Sequence, residues 1–175
     1  PMFEFEMKGG IEAMIQLEKD LLQHLGFGKQ STYHEGNYLD IAKKYGVNIL
    51  EHEHEEKIRK DYGPVYFLKM FPNYTSPFWN MKQSEDGKTA SKVDVILHGV
   101  ETIGSAQRSN NVEEMRSQFY NISEGQYANI LFSNFTKERV ERELDEFLQN
   151  NFIERSGGGI GVTRLIRAMK LSGLL

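Results

Sequence analysis

The chain opens on a two-residue rhythm, Met2-Phe3-Glu4-Phe5-Glu6-Met7, with Phe3, Phe5 and Met7 on one side and Glu4 and Glu6 on the other. That alternation predicts a strand with one face toward a core and the other toward a polar cleft. The period then changes. Ile11, Met14, Ile15, Leu21, Leu22 and Leu25 recur at steps of three and four until Gly26 and Gly28, which predicts a helix lying on the outside of a sheet. A weaker helix follows over Tyr38 to Tyr45, and a charged one over His54 to Asp61.

After Gly63-Pro64 the texture turns to β. Val65 to Leu68 is a compact apolar strand, and Phe78 to Met81 reads as its neighbour. Asp86-Gly87 fits the two central positions of a type I′ turn, both of which need positive φ. The next strand runs from Ala90 to His98, and a turn at Gly99 leads into another over Val100 to Arg108, so the middle of the chain is an antiparallel meander. Helices return over Val112 to Tyr120 and over Lys137 to Asn150, the latter with a stripe of Val140, Leu144, Phe147 and Leu148. A last helix follows Gly161, with Val162, Leu165, Ile166 and Met169 as its expected buried face. No repeat or linker divides residues 1–175, so one α+β domain is expected, an antiparallel sheet flanked by helices.

Composition narrows the classes without naming one. The 175 residues are 39% apolar and 26% charged, the balance of a chain that buries a core. No apolar run reaches the roughly 20 residues of a membrane span, and the start is acidic, which leads us to expect a soluble cytoplasmic protein. The absence of cysteine excludes disulfides, thiolate metal sites and cysteine nucleophiles. Against 25 acidic residues stand 21 Lys and Arg, a net charge of −4, which argues against a surface given over to nucleic acid.

Two segments carry chemistry. In Gly157 to Arg164, glycines at 157, 159 and 161 alternate at period two, so one strand face is left without side chains and a flat group can lie on the backbone. Arg164 follows in the first helical turn, where its donor fork suits a phosphate. The spacing is neither a dinucleotide fingerprint nor a P-loop, and a glycine-rich turn packing a helix closely onto a sheet is the equally weighted structural alternative. In Asp94 to Arg108, a hairpin at Gly99 brings Asp94 and Glu101 together on adjacent strands, a natural Mg²⁺ site, or else leaves both as solvated charges. Simple alternation puts Glu101 and Arg108 on opposite faces, so a shared pocket requires a bulge or a twist, with Gly104 its expected place. His52 and His54 read as part of a solvated helix start, and the aromatics Tyr66, Phe67, Phe71, Tyr74, Phe78 and Trp79 as core.

Together these segments resemble a known family. Gly157-Gly158-Gly159-Ile160-Gly161-Val162-Thr163-Arg164 is similar to motif 3 of class II aminoacyl-tRNA synthetases, and Asp94…Glu101…Ala106-Gln107-Arg108 to the preceding segment in their aspartyl and asparaginyl subgroup. Glu51-His52-Glu53, Gly63-Pro64-Val65, Phe71-Pro72 and Pro77-Phe78-Trp79 follow in that subgroup's order, and Phe3 to Met7 resembles the last strand of motif 2. The resemblance implies ATP-dependent activation of aspartate or asparagine to an aminoacyl adenylate. Arg164 would grip the ATP γ-phosphate, with Gly157, Gly159 and Gly161 beneath the nucleotide. Asp94 and Glu101 would hold Mg²⁺. Arg108 would bind the amino-acid side chain, with Gln107 beside it and Glu4 orienting it.

The resemblance starts at the end of motif 2. Motif 1, the arginine-bearing part of motif 2 and an anticodon-binding barrel have no counterpart in these 175 residues, which puts in question whether tRNA is a partner and whether the chain forms a homodimer. Thr163 stands where the synthetases usually carry a carboxylate, and in this the chain is similar to the ammonia-dependent asparagine synthetases. The alternatives to a synthetase are thus an ammonia-dependent aspartate ligase and a synthetase-derived binding module without turnover.

Overall fold

The computed structural model describes residues 1–175. Six strands form one sheet: β1 (Met2–Lys8), β2 (His34–Asn37), β3 (Val65–Pro72), β4 (Thr89–Leu97), β5 (Val100–Gln107) and β6 (Arg155–Gly161), in the order β1-β6-β5-β4-β3-β2. The helices are α1 (Ile11–His24), α2 (Tyr38–Tyr45), α3 (His52–Tyr62), α4 (Val112–Asn121), α5 (Gln126–Phe135), α6 (Lys137–Leu148) and α7 (Val162–Leu171). No helix is long and apolar enough to cross a membrane.

The α+β class and the β4–β5 hairpin agree with the sequence pattern. Four differences have local causes. The sheet is mixed, because β2 pairs with β3 in parallel; its sequence, His-Glu-Gly-Asn, has no apolar alternation to betray it. Phe78 to Asn80 form no strand, since Trp79 turns into a helical cluster with Met115, Phe119 and Leu144, and only Met81 and Gln83 make single bridges, to Arg108 and Ala90. The two-residue turn with positive φ at both centres is His98-Gly99 (φ 48° and 77°); at Asp86-Gly87 only the glycine has positive φ, within a longer loop closed by the Ser84 N–H donating to the Thr89 carbonyl. On α7, Ile166 is exposed and Ala168 takes the buried position, with Leu165 and Met169 packed beside it.

The two faces of the sheet are covered unequally. Against one lie α1 and α7, around a core of Met14, Ile15, Leu22, Val93, Val95, Leu97, Ile103 and Ile160. On the other, α2 and α3 cover the β2–β3–β4 end through Tyr38, Ile41, Ile58, Tyr66, Leu68 and Ile96, with α3 reaching the start of β5. The β1–β6–β5 end of that face keeps an open, polar surface. His54 is buried, not solvated: its Nδ1 accepts the Glu51 N–H at 3.0 Å, capping α3, while His52 is exposed. Of the expected core aromatics, Tyr74 and Phe78 are exposed and the rest buried.

Candidate active site

Register places the polar residues. Glu4 of β1 stands opposite Gly159 of β6, Gly159 opposite Gly104 of β5, and Gly104 opposite Asp94 of β4, so one rung across four strands has a carboxylate at each end and two glycines between. The next rung runs Glu6, Gly157, Ala106 and Lys92. Gly157, Gly159 and Gly161 therefore share one face, as their spacing predicts, but the Glu6 carboxyl group lies over Gly157, which lines no depression, and Met2 Sδ would lie 2.6 Å from a Cβ on Gly159. Gly158 serves the other: a Cβ there would lie 2.5 Å from Ser105 Cβ and 2.6 Å from the Gly104 carbonyl oxygen, so the sheet packs where a side chain would stand.

Two depressions lie side by side on this floor and share Met2, Gly104 and Gly159. One, about 480 Å³, is bounded by Glu101, Thr102, Gly161, Thr163 and Arg164; the other, about 390 Å³, by Glu4, Glu6 and Arg108. Each holds one arginine already fixed by a carboxylate-bearing residue. Arg164 donates from Nη1 to the Glu101 carbonyl at 2.8 Å, and its side chain is 56% exposed. Arg108 donates from Nε to Glu6 Oε1 at 3.0 Å, and its Nη2 lies in ion-pair contact with the same oxygen at 3.0 Å. Such pre-aimed guanidinium groups suit two anionic or polar groups of one ligand spanning both depressions.

The bulge needed to bring Glu101 and Arg108 onto one face exists, but at Thr102 and not at Gly104. Val95 pairs with Ile103 and Ile96 with Glu101, so Thr102 is the extra residue on β5 and Glu101 is turned to the open face. There the two carboxylates converge: a methyl built on Gly104 would lie 2.9 Å from Glu101 Oε1 and 3.7 Å from Asp94 Oδ1. Asp94 is buried, and Lys92 Nζ holds its Oδ2 at 2.8 Å while Oδ1 has no hydrogen-bond partner. Burial raises the Asp94 pKa; Lys92 opposes the shift, and Glu101 and Glu55 add to it. An orphaned buried oxygen beside a second carboxylate is a donor pair that fits a divalent cation. No group of three or more His, Cys, Asp or Glu side chains is arranged to hold a metal, so Mg²⁺ would complete its shell with water and ligand phosphates, its usual habit.

Two expected contacts are not formed. Gln107 shares the parity of Ile103 and Ser105, so it points to the α1 side, 4% exposed, where its Oε1 accepts the Ile11 N–H at 3.1 Å and its Nε2 donates to Glu154. It caps a helix and does not reach the amino-acid depression; counting by twos from Ile103 signals this. Glu4 lines that depression, but Glu6 orients Arg108, because Arg108 lies one rung past Ala106 on Glu6's rung and two rungs from Glu4. Glu55 on α3 is a site neighbour the pattern did not mark: its Oε2 accepts the Glu101 N–H at 2.7 Å.

The helix-backed sheet with its row of glycines shares the fold of class II synthetase catalytic domains. Solved asparaginyl-tRNA synthetases of Pyrococcus horikoshii and Entamoeba histolytica, each complexed with asparaginyl-adenylate, superpose with TM-scores of 0.70 and 0.71 at 16% and 17% identity, over 95% and 98% of this chain and 43% and 44% of theirs. The family model for class II tRNA synthetases of the D, K and N type matches residues 4–173, and the chain belongs to that family. Among curated relatives, an asparagine–tRNA ligase of Pseudoalteromonas translucida is 27% identical over 136 residues, 75% of this chain and 26% of the relative. An aspartate–tRNA(Asp) ligase of Pyrobaculum aerophilum is 32% identical over 66 residues, 38% of this chain and 15% of the relative. The chain thus spans about a quarter or less of those relatives' length.

Proposed function

We propose that this chain carries the site at which ATP activates aspartate or asparagine to an aminoacyl adenylate. The observation that carries the reading is the pair of adjoining depressions on one glycine floor, each with its own anchored arginine. An aminoacyl adenylate is a ligand of that form: a polar side chain at one end, a nucleotide at the other and a phosphate between.

Arg164 would hold the terminal phosphates, and Gly159 and Gly161, which line the same depression, would take the flat nucleoside once the Met2 side chain moves off Gly159; Gly157 lies outside it, on the Glu6 rung. Arg108, steadied by Glu6, would bind the amino-acid side chain, with Glu4 lining the same depression. The α-carboxylate oxygen bonds to the α-phosphorus as the bond to the β-phosphate bridging oxygen breaks, and pyrophosphate leaves with that electron pair. Asp94 and Glu101 would hold Mg²⁺, which when bound neutralises phosphate charge. No side-chain nucleophile is needed, because the residues act by holding reactants in line and stabilising charge. Transfer of the aminoacyl group to tRNA would be an activity of the family's full-length members, with this site as their activating half.

Calorimetric titration with non-hydrolysable aspartyl- and asparaginyl-adenylate analogues, against ATP alone, tests the proposal. One analogue is expected to bind more tightly than ATP, and the preferred one names the amino acid. A folded chain that binds neither analogue refutes it. Thr163, which lines the nucleotide depression next to Arg164, favours one second reading, an ammonia-dependent aspartate ligase. Asparagine formed from aspartate, ATP and ammonium would establish that reading.

A further inference from the structure

Glu55 lies on α3, outside the sheet, and reaches in to a single main-chain group. The β5–β6 ladder begins at Ile103 and Ile160, so β6 supplies no partner to the Glu101 N–H. Glu55 Oε2 accepts that N–H at 2.7 Å, and Arg164 Nη1 donates to the carbonyl of the same residue at 2.8 Å. Glu101 is therefore held through its backbone from two helices, α3 and α7. It needs holding, because its carboxylate faces the site only by virtue of the bulge at Thr102. Pairing without the bulge would restore simple alternation and turn Glu101 to the opposite face.

The same two helices brace the rest of the turn. Glu56 packs so closely on Gly99 that a Cβ there would lie 2.6 Å from its Oε1, and Arg167 donates to the His98 carbonyl at 3.4 Å. Glu55 is not itself placed as a third cation ligand, since no triad of metal-ligating side chains exists.

We infer that Glu55 is a positioning residue for the cation site: by accepting the Glu101 N–H it fixes the β5 bulge and so the direction of the Glu101 carboxylate. The inference rests on the reading of Asp94 and Glu101 as the Mg²⁺-binding pair. A charged acceptor makes this hydrogen bond stronger than an amide would, yet the geometry asks only for an acceptor at that point. Glutamine, which keeps one oxygen, should therefore preserve the function, and alanine should not.

The experiment titrates Mg²⁺ with β,γ-imido-ATP into the wild-type chain and into the Glu55→Ala and Glu55→Gln variants, with the same nucleotide in EDTA as the reference. It also follows the Glu101 amide by ¹⁵N NMR, its shift and exchange rate. In Glu55→Ala the Mg²⁺-dependent gain in nucleotide affinity is expected to fall about tenfold or more, the scale of a lost charge-assisted hydrogen bond, with affinity in EDTA unchanged and the Glu101 amide exposed to exchange. Glu55→Gln is expected to stay within about threefold of wild type and keep the amide protected. If the alanine variant does not fold, Glu55→Asp replaces it: still charged but one methylene shorter, it should show the same loss. Unchanged Mg²⁺ dependence in the short variant, or a glutamine variant as poor as alanine, overturns the inference while leaving the site reading intact. A wild-type chain with no Mg²⁺-dependent nucleotide binding overturns the site reading itself and this inference with it.

Discussion

Arg164 and Glu101 are joined at two points: the guanidinium donates to the main-chain carbonyl at 2.8 Å and lies 3.8 Å from the carboxylate. The arginine that would hold phosphate and the carboxylate that would hold its counter-ion are thus parts of one arrangement. Arg108 belongs to another, on the far side of the shared floor, with Glu6.

The two arginines should therefore fail separately. Arg164→Ala is expected to weaken nucleotide binding about 10- to 100-fold, the cost of a charge-assisted contact, with little effect on amino-acid binding. Arg108→Ala should do the reverse. Calorimetry with ATP and with the amino acid on both variants decides it. Equal loss of both ligands in two well-folded variants would mean that the depressions are not the two halves of one site.

Adjacent glycines make a second pair of opposite expectations. A Cβ on Gly104 comes too close only to the flexible end of Glu101, 2.9 Å away, with Asp94 Oδ1 in ordinary contact at 3.7 Å, so Gly104→Ala should melt near the wild-type temperature while displacing the Glu101 carboxylate and abolishing Mg²⁺-dependent nucleotide binding. A Cβ on Gly158 meets Ser105 Cβ and main chain of β5, so Gly158→Ala should lose about 3 kcal/mol of stability, the upper range for overpacking. Chemical denaturation and ligand titration of both variants test the contrast. Two variants with the same stability loss would show that the floor is not a surface left open for a ligand.

These contrasts also mark how much was legible in the chain. Period-two glycines ending in Arg164 announced the shared face and the arginine at its edge, because the pattern is local. The odd spacing of Glu101 and Arg108 announced that a shared pocket required a bulge or a twist. Its location was not legible, since a bulge is fixed by what holds it, and here the holders are Glu55 and Arg164, distant in sequence. Strand β2 was invisible for the same kind of reason: its pairing comes from β3 and not from its own four residues. Glu18 is a signal passed over. It stands in the α1 stripe between Ile15 and Leu22, where an acid has no reason to be unless it is buried.

Gln107 provides a test of face assignment. Its amide joins the first N–H of α1 to Glu154 behind the sheet, so Gln107→Ala should destabilise the chain by about 1–2 kcal/mol, as loss of a helix cap does, and leave amino-acid affinity as in wild type. Urea unfolding alongside amino-acid titration measures both. A variant of normal stability that no longer binds the amino acid would return Gln107 to the site.

Glu18 sets a pH dependence of its own. It is 1% exposed against β4 and β5, and neither carboxylate oxygen has a hydrogen-bond partner within geometric reach. Burial pushes its pKa from 4.5 to about 7, the nearby Ser105 hydroxyl offsetting part of the rise and the Asp94 charge adding to it. The folded chain therefore binds this proton more tightly than the unfolded one. The sign follows: Glu18's share of stability is fully present below about pH 4.5, is lost as pH rises toward 7, and changes no further above that. At roughly 1.4 kcal/mol per pKa unit, the loss is on the order of 3 kcal/mol. Glu18→Gln cannot titrate, so stability measured by urea unfolding from pH 4.5 to 8 should fall with pH less steeply than in wild type, the two curves separating by about that amount at pH 8. Curves that stay parallel across the range would show that Glu18 is ionised in the folded chain, with a cation or water reaching it behind the sheet.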